Sequence, residues 1–185
     1  DLFSGPGVGW DFDGEVLTLD SAMTYVLSGA ATNDMTQIKV AKSGATVVMS
    51  NAVVSTKGRP ALVVEQNATL LMAGGESTLA ATNESAAITV AAGAEVAVGL
   101  APGASRKDAM IGVFNFGAAA AVAGAGAVIV EGGTFLGPIT NKQGTVVITS
   151  GRFLSAQARS RTVVSRRPSG VTTVTVPRTF EARGP

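Results

Sequence analysis

The sequence predicts an all-β protein, a single-stranded right-handed parallel β-helix (β-solenoid) with an N-terminal hairpin cap. Three observations predict this fold class. Short segments of apolar and β-branched residues recur with Gly, Asn or Ser at their ends, and helical periodicity is nearly absent. No segment between them is long enough for a crossover helix. A ten-residue pattern also repeats within the chain, which favours stacked repeats over a sandwich.

Composition agrees with one strand-rich domain. The 185 residues suit a single domain, and the 46% apolar and 15% charged content favours a continuous core over disorder. The 23 glycines favour frequent sharp corners between short strands. Cysteine and histidine are absent, which excludes disulfides, zinc–thiolate sites and the common nucleophilic triads.

The first predicted element is the hairpin, at about residues 9–20. Asp13 and Gly14 form an Asp-Gly turn signal between alternating apolar residues, and Trp10 and Phe12 are placed over the first repeat. The strands predicted in chain order are Glu15–Asp20, Thr24–Ser28, Gln37–Val40, Thr46–Ser50, Ala61–Glu65, Ala68–Met72, Ala86–Val90, Glu95–Val98, Ile111–Phe116, Ala127–Glu131, Thr145–Thr149, Thr162–Ser165 and Val171–Val176.

The internal repeat is clearest in the second half of the chain. Gly126–Phe135 is followed 18 residues later by Gly144–Phe153, with matching small, aliphatic and aromatic positions. Looser copies begin at Gly44, Asn67 and Gly93. The unequal steps predict a repeat of roughly 20 residues with loop insertions at its corners. Phe135 and Phe153 are predicted to stack on each other in the core.

The chain is predicted to divide at about residue 155. Residues 1–155 form the β-solenoid with its capping hairpin, and residues 156–185 form a basic C-terminal segment. Within that segment, residues 171–176 alternate like an edge strand and stop at Pro177.

The stretch from Gly9 to Phe153 resembles β-helical repeat modules of secreted bacterial cell-surface proteins, of the pectate-lyase-like or carbohydrate-binding-domain-like kind. The segments that carry the resemblance are Gly9–Leu19, Tyr25–Gly29, Ile38–Val47, Pro60–Val63, Ala87–Gly93, Ile111–Gly112 and Val128–Phe135. The resemblance implies an exported protein, extracellular or at a cell surface, and carbohydrate binding as the usual role of such modules.

The residues argue against an enzyme. Polysaccharide lyases and hydrolases need paired carboxylates or acidic calcium ligands, and only Asp108, Glu131 and Glu181 are acidic after residue 100. The densest acidic group, at residues 11, 13 and 15, lacks the spacing of a calcium loop and is interpreted as a solvated turn. We expect no catalytic residues, no metal and no cofactor. A polysaccharide-cleaving enzyme ranks third among the functional hypotheses.

A candidate assembly or ligand surface is drawn from two regions of the chain. Trp10 is the one tryptophan, and it is interpreted mainly as a cap, with a sugar-stacking platform as the alternative. The remaining candidates belong to the basic segment and its edge strand: Arg159, Arg161, Arg166, Arg167, Arg178, Val171, Val174 and Val176. The arginines lack the interleaved aromatics of nucleic-acid readers, so nucleic acid is not an expected partner.

Charge is split between the two halves of the chain. Residues 1–100 hold ten acids and four bases, a net −6, whereas residues 101–185 hold three acids and ten bases, a net +7. This split predicts a structural or adhesive protein that assembles head to tail with copies of itself. The alternative is a non-catalytic carbohydrate-binding module with a polysaccharide partner. The sequence contains no run of 18 apolar residues, so it predicts no membrane-spanning helix.

Overall fold

The computed structural model describes residues 8–73, 77–104, 109–112, 120–153, 163–167 and 170–174, and within these ranges the regular elements are strands, with no helix. The strands are β1 (Trp10–Phe12), β2 (Val16–Leu19), β3 (Thr24–Asp34), β4 (Gln37–Val40), β5 (Ala45–Lys57), β6 (Leu62–Val64), β7 (Ala68–Met72), β8 (Ser77–Thr82), β9 (Ile88–Val90), β10 (Glu95–Leu100), β11 (Ala109–Gly112), β12 (Val122–Gly124), β13 (Ala127–Val130), β14 (Thr134–Leu136), β15 (Ile139–Asn141), β16 (Val146–Ile148), β17 (Arg152–Phe153), β18 (Val163–Arg167) and β19 (Gly170–Val174).

Sheet A contains seven strands in the order β1-β2-β4-β6-β9-β12-β15. Every pair from β2 to β15 is parallel, and only β1 pairs antiparallel, with β2. The strands alternate between buried and half-buried residues, as expected for strands with one face on a core. One inward position is aliphatic in every parallel strand, and its register partners form a column: Leu17, Ile38, Leu62, Ile88, Val122 and Ile139.

Sheet B contains twelve strands and branches at the 13-residue strand β5. One edge of β5 pairs with β3, while its other edge pairs with β7 through residues 45–49 and with β8 through residues 53–57. The first arm continues through β7, β10, β13, β16, β18 and β19, and the second through β8, β11, β14 and β17. Asn51 marks the branch, because its positive φ of 50° shifts the alternation of buried residues between the two halves of β5.

The inward side chains of both sheets belong to a single hydrophobic cluster. In the second arm, the register column Val54, Leu79, Ile111, Phe135 and Phe153 crosses five strands. The strand register pairs Phe135 with Phe153, as the 18-residue repeat predicts, and the stacking of their rings stays a prediction. Phe135 is fully buried.

The predicted fold class is wrong. Two sheets, each with both parallel and antiparallel pairs, take the place of a single-stranded right-handed parallel β-helix, and the described residues show no closed solenoid. The error arises at β5 and at the chain ends. The shift at Asn51 makes β5 one strand shared by two arms, and antiparallel hairpins end both sheet A and the first arm of sheet B.

The two terminal elements predicted from sequence are present as strand pairs. The hairpin at residues 9–20 corresponds to β1 and β2, and the strand at residues 171–176 corresponds to β19, which pairs antiparallel with β18. Most of the segment 156–185 lies outside the described residues. Nothing in the structure tests the predicted division of the chain at residue 155.

Candidate assembly interface

Strand β3 forms an open sheet edge at one end of the molecule. It is 11 residues long, and among the described residues it pairs only with β5. An edge strand presents unpaired backbone N–H and C=O groups that can pair with another chain. Two register irregularities, between Leu27 and Gly29 and between Ala31 and Asp34, interrupt the pairing with β5. The longest regular part of this edge is therefore Thr24–Leu27.

Apolar side chains are exposed on and beside this edge. Val26 is 64% exposed in the regular part of β3, and Met23 and Met35, which flank the strand, are 42% and 41% exposed. Among natural edge strands, charged side chains and proline commonly prevent pairing with other chains. Strand β3 contains neither until Asp34, its last residue.

The end of the molecule that holds β1, β2 and β3 is acidic. Residues 8–36 contain no Lys or Arg. Their five acids are Asp11, Asp13, Glu15, Asp20 and Asp34, all exposed. Arg59 partly offsets this charge, because its Nη2 lies 3.0 Å from Glu15 Oε2 and its Nη1 donates to the Met35 carbonyl oxygen at 2.8 Å. This ion pair is exposed, so it contributes little to stability.

Asp13 closes the hairpin turn between β1 and β2. Its Oδ1 accepts hydrogen bonds from the backbone N–H of Val16 at 2.7 Å and of Glu15 at 2.9 Å. These bonds, that of Val16 first, hold the pKa of the Asp13 carboxyl below its usual value because they stabilise the charged form. Asp13 and Glu15 of the acidic group thus lie in an exposed turn, as the sequence predicts, whereas Asp11 lies in β1.

The hairpin is fastened at its other end by Tyr25. The buried Tyr25 hydroxyl donates a hydrogen bond to the Gly9 carbonyl oxygen and accepts one from Ser21 N–H at 3.1 Å. Asp20 N–H also donates to the Gly9 carbonyl oxygen, at 3.0 Å. Trp10 is half-buried and packs against the core. Its position agrees with the cap interpretation more than with an exposed sugar platform.

The opposite end of sheet B is formed by the hairpin β18–β19. Strand β19 lies seven strand positions from β3 along the first arm, a distance of roughly 34 Å at the usual strand spacing. Arg166 and Arg167 lie in β18, paired with Val171 and Gly170 of β19. The described residues from 132 onward contain four bases, Lys142, Arg152, Arg166 and Arg167, and no acid, so this end is basic.

The predicted site residues therefore do not form one surface. Trp10 lies in β1 at the acidic end, whereas Arg166, Arg167, Val171 and Val174 lie in the hairpin at the basic end. The other candidates, Arg159, Arg161, Arg178 and Val176, lie outside the described residues. Sequence reasoning missed the β3 edge, although the absence of charge from Ala22 to Asn33 was a signal that could have found it.

In the described part of the chain, no group of three or more His, Cys, Asp or Glu side chains is arranged to hold a metal ion. No helix in the described ranges is long and apolar enough to cross a membrane.

Comparison of the chain with protein-family models, with curated proteins and with solved structures finds no match, so the chain is assigned to no family.

Proposed function

We propose that this chain is a non-enzymatic structural protein whose copies join end to end, with the β3 edge of one copy receiving β19 of the next. The observation that carries the proposal is the edge itself. Strand β3 is long, has a single partner among the described residues, and exposes Val26 in its regular part. The opposite charges of the acidic and basic ends favour a second copy of this chain as the partner that binds at the β3 edge.

The strand directions suit such a contact. Strands β3, β5, β7, β10, β13, β16 and β18 are all joined by parallel pairs, and β19 runs antiparallel to β18. A copy displaced along the stacking direction would therefore present β19 antiparallel to β3. The antiparallel ladder is slightly more stable per residue than a parallel one. Thr24–Leu27 and the five residues of β19 have comparable lengths.

Opposite charge supports the same pairing of ends. The acidic residues of 8–36 belong to the β3 end, and Arg166 and Arg167 belong to the β19 end. Contact between two different ends of identical chains is heterologous, and a heterologous contact that does not close into a ring extends into a filament. An adhesive role and an extracellular or cell-surface location stay predictions from the sequence.

The variant Val26→Lys tests the edge contact. A lysine at position 26 would bring a positive charge to the acidic end that receives the basic hairpin, and like charges brought together at an interface cost several kcal/mol. We expect assembly to fall by at least about tenfold, since each 1.4 kcal/mol corresponds to a factor of ten. The measurement is the mass distribution by light scattering at low salt.

Val48→Lys is the matched control. Val48 is the register partner of Val26 in β5, so it shares the outward face of the sheet but lies one strand away from the edge. We expect this variant to assemble like the wild-type chain. Equal loss in both variants would show that the outward face, rather than the edge, makes the contact. Unchanged assembly of Val26→Lys would remove β3 from the proposal.

A further inference from the structure

Strand β1 covers a second sheet edge at the acidic end. All strands of sheet A from β2 to β15 run parallel, and β1 is the single antiparallel addition to that order. It is only three residues long. Without β1, strand β2 would present a parallel edge beside the β3 edge.

The far edge of sheet A matches the edge that β1 covers. Strand β15 ends the sheet order and, among the described residues, pairs only with β12. Strands β2 and β15 run in the same direction, so β15 of one copy can lie parallel to β2 of the next. The buried aliphatic column that begins at Leu17 ends at Ile139, and a second copy would continue it with its own Leu17.

Strand β1 occupies the place that this neighbour would take. Its register puts Phe12 beside Leu17 and Trp10 beside Leu19. In a continued sheet, Ile139 and Asn141 of the neighbouring copy would stand at those two positions. The aromatic side chains of β1 therefore compete with the neighbour for the same edge of β2.

The attachment of β1 is local to its hairpin. Both aromatic residues are only half-buried, unlike the fully buried Leu17 and Leu19 on which they lie. The strand is held by the Asp13 turn at one end and by the Tyr25 hydroxyl bond to Gly9 at the other. Short edge strands with few buried contacts open at lower free energy than core strands.

We infer that β1 is an autoinhibitory strap, and that the edge of β2 beneath it is a latent docking surface for β15 of a second copy. This inference rests on the proposed end-to-end assembly and adds to it a second contact and a control point. Detachment of the strap allows sheet A to continue into the next copy, alongside the β3–β19 contact. A closed strap limits the joint to sheet B.

A disulfide that locks the strap is the direct test. Asp11 and Thr18 are register partners in β1 and β2, and directly opposite residues of an antiparallel pair lie within the Cα separation that a disulfide spans. The chain has no cysteine of its own, so the double variant Asp11→Cys with Thr18→Cys forms one defined bridge. Its reduced form is the matched control for its oxidised form.

We expect the oxidised double variant to assemble about tenfold more slowly than the same protein reduced with dithiothreitol, the factor that corresponds to 1.4 kcal/mol of lost contact. The variant Tyr25→Phe removes the hydroxyl that bonds to Gly9 and keeps the buried ring. It should raise the open fraction of the strap by about fivefold, because the hydrogen bond from the Tyr25 hydroxyl to the Gly9 carbonyl oxygen is lost, and should speed assembly accordingly.

Equal assembly rates for the oxidised and reduced forms would contradict the inference that β1 inhibits assembly. If Val26→Lys still abolished assembly in that case, the proposed function would stand without it. A wild-type chain that stays monomeric in the same assay would instead overturn both the assembly and the strap.

Discussion

Truncating Phe135 to alanine should lower the free energy of unfolding by about 3–5 kcal/mol, the range for large aromatic-to-alanine changes in a core. Phe135 is fully buried, and its register partners are Ile111 in β11 and Phe153 in β17. The variant removes an interior ring from the register column of the second arm of sheet B, and the parallel strands on either side cannot close the cavity without shifting their register. Urea unfolding followed by far-ultraviolet circular dichroism measures the loss.

Leu136→Ala is the control for this prediction. Leu136 is the next residue of β14, half-buried on the other face of the strand. We expect it to cost less than half as much as Phe135→Ala. If the two variants lowered the free energy of unfolding equally, burial of Phe135 in the register column would not be what stabilises β14.

Gly124→Ala should also cost about 2–5 kcal/mol, because it combines backbone strain with a backbone clash. Gly124 ends β12 with a φ of +134°, and a Cβ at this position would lie 2.1 Å from the Val90 carbonyl oxygen. A carbonyl in a parallel ladder cannot move away without breaking its hydrogen bonds. The change in the urea midpoint at an unchanged m-value measures the effect.

Gly103→Ala separates the two causes. Gly103 has a φ of +83°, and a Cβ there would meet no atom within 4 Å. We therefore expect only the cost of the left-handed conformation, about 1–2 kcal/mol. If Gly124→Ala and Gly103→Ala lowered the free energy of unfolding by the same amount, the close approach of β12 to β9 would not contribute to the stability of sheet A.

The strand register was predicted correctly where the repeat is tight. The prediction failed where small residues make the alignment of the repeats ambiguous. The 18-residue repeat places Val128 beside Val146, and the structure has that pair. The looser copy at Gly93 was placed two residues out of register with β7, since Val96, not Ala94, pairs with Ala68. The sequence Ala-Ala-Gly-Ala offers no large side chain to distinguish these alignments.

The joining of strands into sheets could not be predicted in the same way. A strand was predicted to end at Ser50, because Gly, Asn or Ser stand at the ends of the short apolar segments. The structure instead continues β5 to Lys57 through a left-handed Asn51, and so joins two ladders into one branched sheet. Whether a chain turns or continues at such a residue depends on the partners of the following strand, which a local pattern does not contain.

The candidate interface was predicted in part. Both of its ends were singled out, one by Trp10 and the other by the arginines and the edge strand that became β19. The β3 edge was missed because edge position is a property of the strand order. Val26 looks like a core residue in the sequence, but it lies on the outward face of β3 and has no neighbouring strand on one side among the described residues, so it is exposed.

Light scattering of the purified wild-type chain across a salt series tests end-to-end assembly most directly. The account predicts particles many times the 18.5 kDa mass of one chain at low salt, and smaller ones as salt screens the attraction between the acidic and basic ends. A monodisperse 18.5 kDa particle at every salt concentration would contradict it.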